Sequence, residues 1–315
     1  MYKNVFNCRG DRPGRQLPRI KINTNHISMV CFIGLCLFVI MASAPVRAQM
    51  VQPYKLVDGH TAGVLGKGYY DVDFRIYVSA DRYEGTGLLS GFSVGVTPRL
   101  SLGLSYGGEG LIGYGDHVRW NSYPGIMVKY RLFEESYVTP AFTLGFDNQG
   151  YGGPASTPLF GYDGYVFKSP GFFLAFSKNY LMFDVIQIGF HATANYSLEE
   201  RDKVKWPNAL GGLDIGINDE LAIHAEYDFA LNDISGEEYK KDIYAHPLYG
   251  YLNIGLRWAF TSNFHIEFDV KDVLEHKIQY EYVPDPTPDD PRRQRRISST
   301  VGWSRELKVL YLANF

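Results

Sequence analysis

From Leu221 to Leu231 every second residue is apolar: Leu221, Ile223, Ala225, Tyr227, Phe229 and Leu231. The intervening positions are Ala222, His224, Glu226, Asp228 and Ala230. A side-chain period of two is that of a β-strand, because a helix would spread these positions around its circumference. The pattern recurs along the chain. Val72, Phe74, Ile76 and Val78 oppose Asp71, Asp73, Arg75 and Tyr77; Phe92, Val94 and Val96 precede a turn at Pro98, and Leu100, Leu102, Leu104 and Tyr106 follow it. Further stretches run over Pro124 to Leu132, Tyr137 to Phe146, Val166 to Ser177 and Val185 to Ser197, with Pro140 marking a bulge or strand end in the second of these. Leu213 to Ile217, Leu252 to Phe260, Phe264 to Val270 and Arg305 to Phe315 bring the strand count to about twelve. No continuous run after residue 48 approaches the roughly 18 apolar residues of a membrane helix.

The connections separate into two kinds. Thr97-Pro98-Arg99, Phe133 to Ser136, Asn218-Asp219 and Thr261-Ser262-Asn263 are tight. The connections between them are long and rich in Gly, Pro and charge. Tight and long connections alternate, which suits a closed up-and-down barrel with short turns at one rim and long loops at the other. A soluble sandwich has no reason to sort its loops this way. Small residues opposite the apolar rows, namely Ser93, Gly95, Ser101, Gly103 and Ser105, let a sheet curve tightly. Aromatic residues near strand ends, such as Tyr69, Tyr70, Tyr106, Phe146, Trp258, Phe260 and Trp303, suit two membrane-interface girdles.

The first 48 residues differ in kind. Basic residues from Lys3 to Lys21 precede the apolar run Ile27 to Ala44, and Val46-Arg47-Ala48 supplies small residues for cleavage, the layout of a secretory signal peptide. All three cysteines, Cys8, Cys31 and Cys36, fall in this segment, so the exported chain is not a disulfide scaffold. Beyond residue 48 there remain 24 basic and 33 acidic residues, a net charge of −9. That acidity argues against a nucleic-acid partner. The expected organisation is a signal peptide at 1–48, an N-terminal periplasmic segment at 49–67 and a barrel at 68–315.

With the apolar rows facing lipid, the charged alternate face lines the lumen. It carries Asp71, Asp73, Arg75, Lys129, Arg131, Asp214, His224, Glu226, Asp228, Arg257, His265, Glu267, Asp269, Glu306 and Lys308. With both signs present, these side chains can pair across the interior, giving a plug or a narrow passage. His224 and His265 flank carboxylates, a pattern more common for hydrogen-bonded fillers than for a metal site, so neither a metal nor a cofactor is assigned. His191, Asn195 and Ser197 lie close together on one stretch, but no nearby acid or Gly-rich turn completes a triad, and a hydrolase is set aside. The segment Val283 to Arg296 is rich in proline and like charges and is expected to be unfolded. Its Arg292, Arg293, Arg295 and Arg296 are candidates for contact with anionic lipopolysaccharide or an acidic polysaccharide.

Two resemblances follow from particular residues. Leu307, Val309, Tyr311, Ala313 and Phe315 alternate to the last residue, and this ending resembles the closing strand that the outer-membrane barrel assembly machinery reads. Between about residues 85 and 260 the chain resembles the YjbH-like outer-membrane proteins linked to exopolysaccharide export. The residues that carry it are Pro124-Gly125-Ile126, Lys129-Tyr130-Arg131-Leu132 with Glu134-Glu135, Pro140-Ala141, Gly145-Phe146-Asp147, Gly150-Tyr151-Gly152, Lys168-Ser169 and Ser177-Lys178. Members of that group are longer, so the chain corresponds to one barrel module. The resemblance implies an outer-membrane barrel with a part in polysaccharide export. The partners expected are the outer-membrane bilayer and its lipopolysaccharide, the assembly machinery and polysaccharide. A passive small-solute channel is the alternative, with a lipid hydrolase ranked below it.

Overall fold

A computed structural model describes residues 53–78, 86–112, 118–121, 123–154, 165–182, 186–199, 206–232, 243–245, 250–284, 294–300 and 303–315. The expected signal peptide at 1–48 lies outside these residues. Twelve strands form the wall: β1 (Tyr69–Val78), β2 (Thr86–Thr97), β3 (Leu100–Ile112), β4 (Gly125–Phe133), β5 (Ala141–Asp147), β6 (Gly171–Met182), β7 (Ile186–Tyr196), β8 (Asn208–Gly216), β9 (Leu221–Asp228), β10 (Tyr251–Ala259), β11 (Phe264–Lys271) and β12 (Ser304–Asn314). Each pairs antiparallel with its neighbours in sequence. β1 also pairs with β12, from Tyr69↔Asn314 to Tyr77↔Glu306, which closes the sheet. Closure leaves the wall without an open edge, as hydrocarbon surroundings require of a sheet. The described residues contain no helix.

The strands carry their apolar residues outward. Phe92, Leu102, Leu104, Ile126, Leu144, Leu174, Phe190, Ile223, Ile254, Leu256 and Phe268 are all exposed, while the buried set is dominated by Asp, Glu, Lys, Arg, His, Ser, Thr and Asn. This is the reverse of a soluble fold and defines a transmembrane β-barrel. Rings gather at both ends of the wall: Tyr70 lies 5.0 Å from Phe315 at one rim, and Tyr106 stacks on Trp120 at 5.7 Å at the other. Leu256→Arg places a charge in the outward band near the middle of β10 and is expected to cost about 2–4 kcal/mol in vesicle-embedded unfolding. A cost below about 1 kcal/mol would mean that this face does not meet lipid.

The rim with the short connections is built by local side-chain chemistry. Thr97 Oγ1 accepts the amides of Arg99 and Leu100, Asn218 Oδ1 those of Glu220 and Leu221, and Thr261 Oγ1 those of Asn263 and Phe264. Each reverses the chain in a few residues. At the opposite rim, Tyr151–Pro154 pairs with Tyr165–Phe167, and Lys277–Pro284 pairs with Gln294–Thr300 and with Ile243–Ala245.

Four expectations change. Strand five begins at Ala141, directly after Pro140, and not at Tyr137; strand six begins at Gly171, since Val166 belongs to the small hairpin. The stretch Val283 to Arg296 is not wholly unfolded. Its ends belong to a paired hairpin with Val283 opposite Arg295, because a proline is tolerated at the end of a ladder, where Pro284 stands opposite Gln294. Finally, the segment expected in the periplasm lies inside the barrel over residues 53–66, as set out next.

Candidate functional site

Residues 53–66 form a short hairpin in the lumen. Its arms meet at the Lys55↔His60 bridge, and Leu56 N–H bonds to the Gly59 carbonyl to close the tip. Nothing in this stretch alternates, so it cannot join the wall as a strand. It does carry a dense set of backbone groups that need partners, and the wall supplies them. Lys129 donates to the Tyr54 carbonyl at 2.9 Å, Arg257 to Lys55 at 3.1 Å, and Arg75 and Lys308 to Val57 at 3.0 and 2.7 Å. Thr193 donates to the His60 carbonyl, and Thr143 and Arg131 to that of Ala62. In the other direction Ala62 N–H bonds to Ser177 Oγ and Leu65 N–H to Ser101 Oγ, both at 2.8 Å. The descending arm passes so close to β2 that a Cβ at Gly95 would lie 2.0 Å from the Gly66 carbonyl oxygen. Gly95 and Ser101, two of the small residues read as serving curvature, therefore make room for the plug.

The charged side chains of the wall meet at the plug tip. Asp58 Oδ1 accepts the Tyr151 hydroxyl at 2.6 Å and Arg75 at 3.1 Å, and Oδ2 lies 2.5 Å from Lys271. Burial alone would raise the Asp58 carboxyl, but Lys271 and Arg75 hold it well below the usual carboxylate range. On the other side of the tip, Glu226 accepts the amides of Asp58 and Gly59, the latter at 2.7 Å, and Asn253 donates to the same carboxylate. Lys308 lies 2.7 Å from both Glu267 and Asp269, Arg257 is paired with Glu267, and Lys271 and Arg75 reach Glu306. Beside the tip is a cavity of about 500 Å³, lined among others by Asp71, Asp73, Asn195, Asn208, Asn253 and Tyr151. Tyr151 and Phe167 stack at 4.6 Å and, with Tyr77 and Leu89, form an apolar cluster at the long-loop end of the barrel.

Of the charged residues expected in the lumen, Asp71, Arg75, Lys129, Asp214, His224, Glu226, His265, Glu267, Asp269, Glu306 and Lys308 are buried, and Asp73, Arg131, Asp228 and Arg257 half-buried. Asp58, Lys55, His60 and Tyr151 were missed, since they lie outside any alternating stretch. Arg292 and Arg293 fall outside the described residues, and Arg295 and Arg296 lie on the Gln294–Thr300 strand. Leu307, Val309, Tyr311 and Ala313 share the outer face of β12, and Phe315 N–H bonds to the Gly68 carbonyl at 3.0 Å.

Two constellations have the residue types of reactive sites. His224, Glu267 and Asp269 offer metal-ligand atoms within 4.8 Å of one another. The Lys308 ammonium already bridges the two carboxylates, so an ion pair accounts for the cluster. The second corrects the reading of His191. Ser177 on β6 stands opposite it, and Asp214 reaches it from β8, with Ser177 Oγ to His191 Nδ1 at 2.7 Å and His191 Nε2 to Asp214 at 2.5 Å. An acid does complete the array, from a neighbouring strand that linear proximity could not reveal. Ser177 is fully buried and its oxygen also accepts Ala62 N–H, so in this state the array anchors the plug.

His60 gives the plug a dependence on pH. It stacks on Phe173 at 4.0 Å, bonds to Asp147 at 3.0 Å and faces Tyr54, Lys55 and Lys129. Burial, with the Lys55 ammonium, pushes it down to about 3 from 6.5. A released plug thus binds more protons than a docked one between these values. His60's contribution to docking is fully present above about pH 6.5 and falls as the pH drops, by about 2 kcal/mol at pH 5. Corrected hydrogen exchange in residues 53–66 is expected to be about 30-fold faster at pH 5 than at pH 7.5, and to lose most of that difference in His60→Gln. Equal rates at the two pH values in the parent chain would contradict it.

No protein-family model matches the chain, and no curated protein sequence matches it. Among solved structures, it is similar to the KdgM porin at 12% identity and a TM-score of 0.41, covering 76% of this chain and 98% of that one. An outer membrane channel from Pseudomonas putida F1 matches at 8% identity and a TM-score of 0.38, covering 84% and 100%. The NanC porin matches at 7% and 0.34, covering 78% and 99%. Identities this low assign no solute and no activity to this chain.

Proposed function

We propose that this chain is an outer-membrane channel for small polar solutes, held shut by its own 53–66 hairpin. The observation that carries the reading is the plug's mode of attachment. Its contacts to the wall are hydrogen bonds and ion pairs, with few buried apolar side chains such as Leu56, Val57 and Leu65. Polar contacts of this kind exchange for water with a small net change in free energy, whereas a packed apolar core does not. The adjoining cavity is of the size that small-molecule sites have. A lumen filled in this way favours passage of small solutes over export of a polymer. The family resemblance remains the support for exopolysaccharide export, and no contact described above adds to it. The exposed apolar belt and aromatic rims support residence in the outer membrane, with lipopolysaccharide and the assembly machinery as partners.

The test is solute flux into liposomes carrying the full chain or a variant lacking residues 53–66. Flux in the second and little in the first is expected. A shortened barrel that still migrates faster unheated than boiled, yet passes no solute, would overturn the reading.

A further inference from the structure

Asp58 is bound the way a ligand would be. Its carboxylate is gripped by Arg75 of β1, Lys271 of β11 and the Tyr151 hydroxyl, while its amide, three bonds from the carboxyl carbon, is taken by Glu226 of β9. Asn253 of β10 steadies Glu226 at 3.1 Å. These groups come from four wall strands and a loop hairpin, so the grip belongs to the barrel and not to the plug. Gly59 lets Glu226 come this near, since a Cβ there would lie 2.9 Å from its oxygen.

The charges around the tip support the same conclusion. Arg75, Arg257, Lys271 and Lys308 are matched by Asp58, Glu267, Asp269 and Glu306 through the ion pairs described above. Three of those carboxylates are fixed to the wall, and the fourth arrives with the plug. When the tip leaves, Arg75 and Lys271 lose Asp58 and keep only Glu306 between them among the ion pairs described, and a carboxylate from solution can take the vacated place. The cavity next to the tip is lined by Asp58, Arg75, Tyr151, Asn253 and Lys271, which gives such a solute room to enter.

We infer that the Arg75–Lys271–Tyr151 cluster and Glu226 form a solute site for small carboxylates with an amino or hydroxyl group on the third carbon, for which Asp58 is the built-in substitute. The carboxylate takes the place of the Asp58 side chain, and the donor takes the place of its amide against Glu226. Solute and plug tip then compete for one set of groups, so binding favours the open barrel. This rests on the channel reading for its role, though the site itself is defined without it.

Calorimetric titration of β-alanine and propionate into the detergent-folded full chain and into the variant lacking residues 53–66 tests the site. The shortened barrel is expected to bind β-alanine about tenfold more tightly than propionate, because one charge-assisted contact is missing in the latter, and the full chain to bind both more weakly. Lys271→Met in the shortened barrel should remove binding of both. Glu226→Gln, which keeps the side chain's size, should erase the preference for β-alanine if Lys271→Met fails to fold. A folded shortened barrel that binds neither compound, or binds both equally, overturns the site. Binding with the expected preference in a barrel that passes no solute would leave the site standing and remove the channel.

Discussion

Deleting residues 53–66 is expected to turn an electrically silent barrel into one that conducts in steps across a planar bilayer. The deletion removes no wall residue and no strand pairing, so the closed twelve-strand sheet keeps its ladder. What it removes is a hairpin whose two ends sit together on one side of the wall, Tyr54 against Lys129 and Leu65 against the paired Ser101, and whose tip reaches across to Glu226 and Lys271. The exposed wall groups are charged or hydroxylated and hydrate readily, whereas an apolar lumen would collapse or dewet. A graded version is Asp58→Ala, which deletes the bonds from Tyr151, Arg75 and Lys271 but keeps the hairpin. Hydrogen bonds to charged groups contribute about 1.5–3 kcal/mol each, so the open fraction should rise by about tenfold or more. If both variants fold and both remain silent, a second obstruction closes the barrel and the hairpin is not its gate.

Lys308→Met is expected to produce the largest loss of stability among single lumen substitutions. The ammonium lies 2.7 Å from Glu267, Asp269 and the Val57 carbonyl, in a site where Glu267 and Asp269 are 1% and 2% exposed. Methionine keeps most of the side-chain volume, so the effect reports charge and not a cavity. Glu267 retains Arg257, but Asp269 is left with only the His224 imidazole at 3.1 Å among its described partners. Breaking a buried pair from one side costs about 3–5 kcal/mol, read as the shift in the urea midpoint of the vesicle-embedded barrel. A change below about 1 kcal/mol would show that water reaches these carboxylates, as it does at surface pairs.

The wall was legible because each strand faces two different solvents. Val72, Phe74 and Ile76 on one side of β1, with Asp71, Asp73 and Arg75 on the other, announce a strand with an inside and an outside. Turn chemistry at Thr97, Asn218 and Thr261 marks the short rim. The plug was not legible for the converse reason. Residues 53–66 have no periodicity, and their binding uses mainly main-chain groups, which every residue possesses. A signal was present in Gly95 and Ser101, where small side chains on the inner face indicate that something passes close by. Curvature explained them equally well from sequence alone.

The same division holds for the Ser177–His191–Asp214 array. Those residues are separated by 14 and 23 positions, and only the pairing of β6, β7 and β8 brings them within hydrogen-bond distance. By itself the sequence determined the strands, their sidedness and the even strand count, because alternation is a local property enforced residue by residue by lipid on one face and polar surroundings on the other. Only the tertiary structure decided what fills the lumen and which charges meet, because those depend on closure of β1 against β12 and on where a non-periodic segment finds partners for its backbone.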